Sequence, residues 1–119
     1  MGPLILIADD AMFMRKVIKR ALTQGGYDRF VEACNGREAV EVFQKERPDL
    51  VLLDITMPEM TGLEVLDAIL SCDAAAKVIM CSAVGQEPII AQAIRRGAVD
   101  FIVKPFKDED LLKLVEVSL

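Results

Sequence analysis

Apolar and polar residues along the chain fall into short runs that change period at turn signals. Leu4 to Ala8 is an apolar run broken by Asp9-Asp10. From Met12 to Gln24, Phe13, Val17 and Ala21, with Met14, Ile18 and Leu22 beside them, repeat at helical spacing, and Gly25-Gly26 predicts the end of that helix. Phe30 to Cys34 predicts a second strand, and Asn35-Gly36 opens a helix with Ala39, Val40 and Phe43 on one face, closed by Pro48. Asp49 to Leu53 predicts the third strand, and its unbroken run Leu50-Val51-Leu52-Leu53 reads as a strand covered on both faces. A helix starting near Gly62 has Leu63, Leu66, Ile69 and Leu70 as its expected inner face. Lys77 to Cys81 predicts a fourth strand, and Ile90 and Ile94 mark a helix stopped by Gly97. Val99 to Val103 predicts a fifth strand ending at Lys104-Pro105, and Leu111, Leu114 and Val115 give a final amphipathic helix.

Strict alternation of apolar strands with amphipathic helices implies an α/β fold of the doubly wound (βα)5 kind: a parallel sheet with right-handed crossovers and helices on both faces. A chain of 119 residues fits one domain, expected to span 1–119, and 53% hydrophobic residues are enough for a sizeable core. The 14 Lys and Arg against 19 Asp and Glu leave a net charge of −5, which argues against nonspecific attraction to nucleic acid or anionic membrane. Cys34, Cys72 and Cys81 lack Cys-x-x-Cys spacing and read as reduced packing residues of a cytoplasmic protein. No apolar stretch approaches the length of a membrane span, and Met1 to Ile7 lacks the basic start of a signal peptide, so the chain is expected to be soluble.

Parallel strands point one way, so Asp9, Asp10, Asp54, Ser82 and Lys104, each placed just after a strand, gather on one edge of the sheet, where ligands bind in open α/β folds. Any one of them could simply be the polar residue that ends a strand; the whole set converging is harder to explain that way. Three carboxylates within about 5 Å repel by roughly 3 kcal/mol per pair at an effective dielectric of about 20, so a compensating cation is implied. Oxygen ligands without nearby His or Cys suit Mg²⁺, and Lys104 supplies a second positive charge. A metal, a cation and a hydroxyl around one carboxylate meet the needs of phosphoryl transfer to that carboxylate, with Asp54 as the nucleophile and Ser82 donating to a transferring oxygen.

Ile7-Ala8-Asp9-Asp10, Leu52-Leu53-Asp54-Ile55-Thr56-Met57-Pro58 with Gly62, Cys81-Ser82-Ala83 and Phe101-Ile102-Val103-Lys104-Pro105-Phe106 span essentially the whole chain. In that order and spacing they resemble the receiver domains of two-component response regulators. Asp10-Ala11-Met12-Phe13-Met14-Arg15 and Ser82-Ala83-Val84-Gly85-Gln86 are similar to the chemotaxis regulators of that family. The resemblance implies a flavodoxin-like sheet of order 2-1-3-4-5. It implies that Asp54 accepts phosphate from a phosphohistidine of a sensor histidine kinase, and that Asp10, Asp54 and the Thr56 backbone carbonyl ligate Mg²⁺ while Asp9 acts largely through water. Lys104 and Ser82 would hold the phosphoryl group. Phe101 matches the family's switch aromatic, here without a phenolic hydroxyl, and Lys104-Pro105 matches a family cis peptide.

The same resemblance implies an output face built from the fourth helix, fifth strand and fifth helix. It also implies a monomer acting on a downstream protein such as a flagellar motor switch protein, with a phosphatase as a possible further partner and no direct contact with nucleic acid. Thr56 and Val84 would flank the approach of the hydrolytic water, and neither carries an acid or amide, so a long-lived phosphoform is expected. Three alternatives stand beside this reading. The chain could be a receiver cut from a larger regulator such as a transcription factor, or a docking module without phosphorylation, although the latter has no need of clustered carboxylates. A phosphatase of the haloacid dehalogenase type needs a second Asp two positions after the nucleophile, where this chain has Thr56.

Overall fold

A computed structural model describes residues 2–119; Met1, the first residue of the expected 1–119 domain and of the segment read for a signal peptide, lies outside the described residues. The elements alternate as β1 (Leu4–Ala8), α1 (Met12–Gln24), β2 (Arg29–Ala33), α2 (Gly36–Glu46), β3 (Leu50–Asp54), α3 (Gly62–Cys72), β4 (Val78–Ala83), α4 (Glu87–Arg96), β5 (Asp100–Lys104) and α5 (Asp108–Ser118). All neighbouring strands pair in parallel, in the order β2-β1-β3-β4-β5. The doubly wound (βα)5 architecture expected from the alternation is the one observed, in the flavodoxin-like strand order that the family resemblance implies.

The pleat divides the central strands between two apolar layers, because successive side chains point to opposite faces. Leu6, Val51, Leu53, Val78 and Met80 face Phe43, Leu66, Ile69 and Ala93 of α2, α3 and α4. Ile5, Ile7, Leu50, Leu52 and Ile79 face Ile18 and Leu22 of α1 and Leu111 and Val115 of α5. Burial of each such Leu or Ile side chain contributes about 1.5–3 kcal/mol, so the sheet interior is a stiff base for whatever stands at its ends. Among the described residues, no helix is long and apolar enough to cross a membrane.

Several local expectations are corrected. β3 and β4 run on to Asp54 and Ala83, because pairing of Asp54 with Cys81 and of Ser82 with Val103 continues the ladder through residues read as lying beyond it. Asp49 lies just before β3, where its carboxylate accepts the Leu4 N–H at 2.7 Å. In α3 the buried face is Val65, Leu66 and Ile69, and Leu63 and Leu70 are only partly covered. In α4 Ile90 and Ala93 are buried, whereas Ile94 is 42% exposed. The cysteines do not share one packing role: Cys34 is exposed, Cys72 is half-buried, and only Cys81 is buried. Burial pushes the Cys81 thiol up to about 12, which keeps it neutral and inert.

Two glycines fix the loop after β3. The Gly62 N–H donates to the Ile55 carbonyl at 2.7 Å, and a Cβ on Gly62 would lie 2.6 Å from the Ile55 Cα and 2.8 Å from the Asp54 carbonyl oxygen. At Gly36 a Cβ would run into the Met60 carbonyl oxygen. α3 opens from Thr61 through a reciprocal capping box with Glu64. The loop following Asp54 is thereby closed by backbone contact and capped at its far end.

Candidate functional site

The C-terminal ends of β1, β3, β4 and β5 bring together the polar residues read from the sequence. Carboxylate oxygens of Asp9, Asp10 and Asp54 all lie within 4.8 Å of one another. Asp9 is 2% and Asp54 9% exposed, whereas Asp10 is open to solvent. Lys104 reaches in from the end of β5, and the peptide that follows it, Lys104-Pro105, is cis. Its ammonium donates to Asp9 Oδ2 at 2.7 Å and stands 3.6 Å from Asp54 Oδ1. Asp9, expected to act largely through water, is therefore also the direct partner of the lysine.

Electrostatics follow from burial. Desolvation raises the Asp54 carboxyl above its ordinary value; Lys104 pulls it down, Asp9 and Asp10 push it up, and the upward causes prevail. Burial alone would lower Lys104, but its hydrogen bond to Asp9 and the charges of Asp54 and Asp9 hold it above its ordinary value. The cluster carries more negative charge than its one lysine offsets. Three oxygen donors with no nitrogen or sulfur among them suit a hard divalent cation such as Mg²⁺, so the residues fit the metal expected from the sequence.

The remaining expected residues are placed around this cluster. The Thr56 N–H donates to Asp54 Oδ1 at 3.3 Å, which turns the carboxylate toward the loop. The Ser82 hydroxyl is fully buried on β4 and finds no hydrogen-bond partner among the described residues. Val84 is 79% exposed in the loop after β4. Phe101 is 41% exposed and borders a cleft of about 470 Å³ with Ile90, Ile94 and Val103, so it does not serve as core packing in this conformation.

Two residues at the site, Arg15 and Gln86, stand in the segments that carry the family resemblance but are given no role from the sequence. Arg15 of α1 donates to the Asp9 carbonyl at 2.6 Å and is ion-paired with Glu32 of β2 at 2.9 Å, which steadies the turn bearing the acidic pair. Asp9 further accepts the Ala11 N–H at 2.9 Å. Gln86 places its side-chain carbonyl 2.6 Å from the Ala83 N–H and donates its amide to Thr56 Oγ1 at 3.1 Å. A lone arginine after an acidic pair was a usable signal for the first; the second left none beyond its place in the loop.

A parallel five-stranded sheet with three acids and a lysine at one lip defines the receiver class, and the chain belongs to the response regulator receiver domain family, whose model matches residues 5–116. It lies close to the chemotaxis regulators of two-component systems. The chemotaxis protein CheY of Thermotoga maritima is 51% identical over 107 residues, covering 90% of this chain and 89% of that protein. In the crystal structure of the CheX-CheY-BeF3-Mg²⁺ complex from Borrelia burgdorferi, one chain is 36% identical and superposes with a TM-score of 0.93, over 98% of this chain and 89% of that one. NtrX from Brucella abortus, 34% identical with a TM-score of 0.93, matches all of this chain over only 27% of its own, so the same fold also occurs within a longer protein.

Proposed function

We propose that residues 1–119 form one receiver domain that works as a phosphoacceptor, with Asp54 taking a phosphoryl group from the phosphohistidine of a sensor histidine kinase. The observation that carries this reading is the Lys104 ammonium, 2.7 Å from Asp9 and 3.6 Å from Asp54, beside three clustered carboxylates. In the transfer an Asp54 carboxylate oxygen forms a bond to phosphorus while the P–N bond to the imidazole breaks, its electron pair returning to the nitrogen. Lys104 is placed to neutralise a transferring oxygen, and the partnerless Ser82 hydroxyl has a hydrogen bond to give. Mg²⁺ held by Asp10, Asp54 and the Thr56 carbonyl, with Asp9 behind them, would supply further neutralisation of phosphoryl charge.

As Ser82 turns toward the phosphoryl group, Phe101 rotates inward, and the face made by α4, β5 and α5 changes its affinity for a protein target. By likeness to the chemotaxis proteins, that target is a flagellar motor switch protein, and a phosphatase resets the signal. The chain acts as a signalling phosphoacceptor whose catalysis extends at most to its own phosphorylation and dephosphorylation. Incubation with acetyl phosphate and Mg²⁺ should add one phosphate-sized increment to the intact mass of the native chain and none to Asp54→Asn. An increment that persists in the variant overturns the assignment.

A further inference from the structure

Two loops flank Asp54: the one after β3, bearing Thr56, and the one after β4, bearing Ala83 to Gln86. The Gln86 side chain spans them. Its carbonyl accepts the Ala83 N–H at 2.6 Å and its amide donates to Thr56 Oγ1 at 3.1 Å, thirty residues away in sequence. Gln86 is also the residue before α4, a place where side chains usually cap the first-turn amides. It makes no such cap, and only its backbone carbonyl serves the helix, accepting from Ile89 and Ile90 at 3.0 Å each. The side chain is thus committed to holding the loops, while the backbone of the same residue holds the start of α4.

Beside this bridge lies an imbalance. Ser82, bonded directly to Ala83, keeps a buried hydroxyl with no partner among the described residues, a condition unfavourable to the conformation that contains it. A phosphoryl oxygen on Asp54 would satisfy that hydroxyl, and any shift of the Ser82 backbone toward it must carry along the Ala83 N–H that Gln86 holds. Resting on the reading of Asp54 as the phosphoacceptor, we propose that Gln86 is a positioning residue: a latch that closes the Thr56 and Ala83 loops in the resting state and opens when Ser82 turns to the phosphoryl group. Opening frees the residue that starts α4, so the latch ties the event at Asp54 to the helix whose Ile90 and Ile94 border the Phe101 cleft.

Beryllium fluoride with Mg²⁺, a phosphoryl mimic, tests this by titration followed through amide chemical shifts in the native chain, Gln86→Ala, Thr56→Val and the double variant. Loss of both hydrogen bonds of the bridge from the resting state predicts binding roughly 5- to 150-fold tighter in Gln86→Ala. Thr56→Val should shift in the same direction by less, and the double variant should gain nothing beyond Gln86→Ala, because both substitutions remove one bridge. The Ala83 amide of the unliganded protein should exchange faster with solvent in Gln86→Ala than in the native chain. Equal or weaker binding by Gln86→Ala, additive effects in the double variant, or an unchanged Ala83 amide each overturns the latch. Failure of the native chain to bind the mimic at all overturns the phosphoacceptor reading instead, and the latch with it.

Discussion

The two edges of the sheet carry similar charges and use them differently. At the N-terminal edge Arg29 donates to the Gly2 carbonyl at 2.8 Å, Asp49 accepts the Leu4 N–H at 2.7 Å, and Lys77, exposed before β4, donates to the Leu119 carbonyl at 2.9 Å. Asp49 and Lys77 are open to solvent and Arg29 is half-buried, and each ties down a piece of backbone. At the C-terminal edge Asp9, Asp54 and Lys104 are withdrawn from water into one another's reach. Exposed pairs are screened and contribute little, whereas buried ones interact strongly and must be balanced. Burial, more than composition, separates an edge that closes the fold from one that can do chemistry.

The widest gap between the edges should appear when a lysine is removed from each. Lys104→Met takes away the cation that faces both the Asp9 and Asp54 carboxylates and should slow phosphorylation by acetyl phosphate about 10²–10³-fold, the usual cost of losing a preorganised group that stabilises developing charge. Lys77→Met should leave the rate unchanged. Time courses of intact mass give both rates, and similar slowing in the two variants would erase the distinction between the edges.

A smaller effect concerns the metal. Mg²⁺ at about 100 times its dissociation constant should stabilise the native chain against urea by about 2.7 kcal/mol relative to chelator. Asp10→Ala, which removes the exposed member of the acidic cluster, should lose most of that increment. Asp49→Ala should keep it, being an acid of the opposite edge. An increment shared equally by all three proteins would mean that the clustered carboxylates do not select the ion.

The mildest test stays within the C-terminal edge and compares its buried floor with its exposed rim. Val84 and Thr56 are rim residues with no acid or amide of their own, so Val84→Glu and Thr56→Asn should hasten loss of the phosphoryl group by on the order of tenfold through better placement of the attacking water. Decay of the phosphorylated chain with Mg²⁺ present gives the comparison. Equal or faster decay of the native chain would show that its lifetime is set elsewhere.

Sequence patterns carried the strands well because runs such as Leu50 to Leu53 are buried on both faces and admit no polar residue. They also carried the cluster, since parallel strands oblige their end residues to meet. Helix faces were harder. Ala93, fully buried, has too little side chain to advertise the inner face of α4, and Ile94 advertised a face that is 42% exposed. Cys34 follows an apolar run yet lies outside it, so its neighbours misrepresent it. Gln86 illustrates a deeper obstacle: its partners Ala83 and Thr56 come from two different loops, and a contact between loops leaves no periodic trace in either.

Gly62 and Gly36 bear on how this molecule can change over generations. Most crowded positions offer a way out, because a side chain that presses on its neighbour can be exchanged for a smaller one. Where the crowding atom would be the first carbon of any side chain, no smaller choice exists. A lineage could redraw much of the rim around Asp54, Val84 and Thr56 included, and so, under the phosphoacceptor function proposed above, retune the duration of its signal. It could not easily trade away the two residues that keep the backbone after Asp54 in place, and diversity in timing would accumulate around a fixed mount.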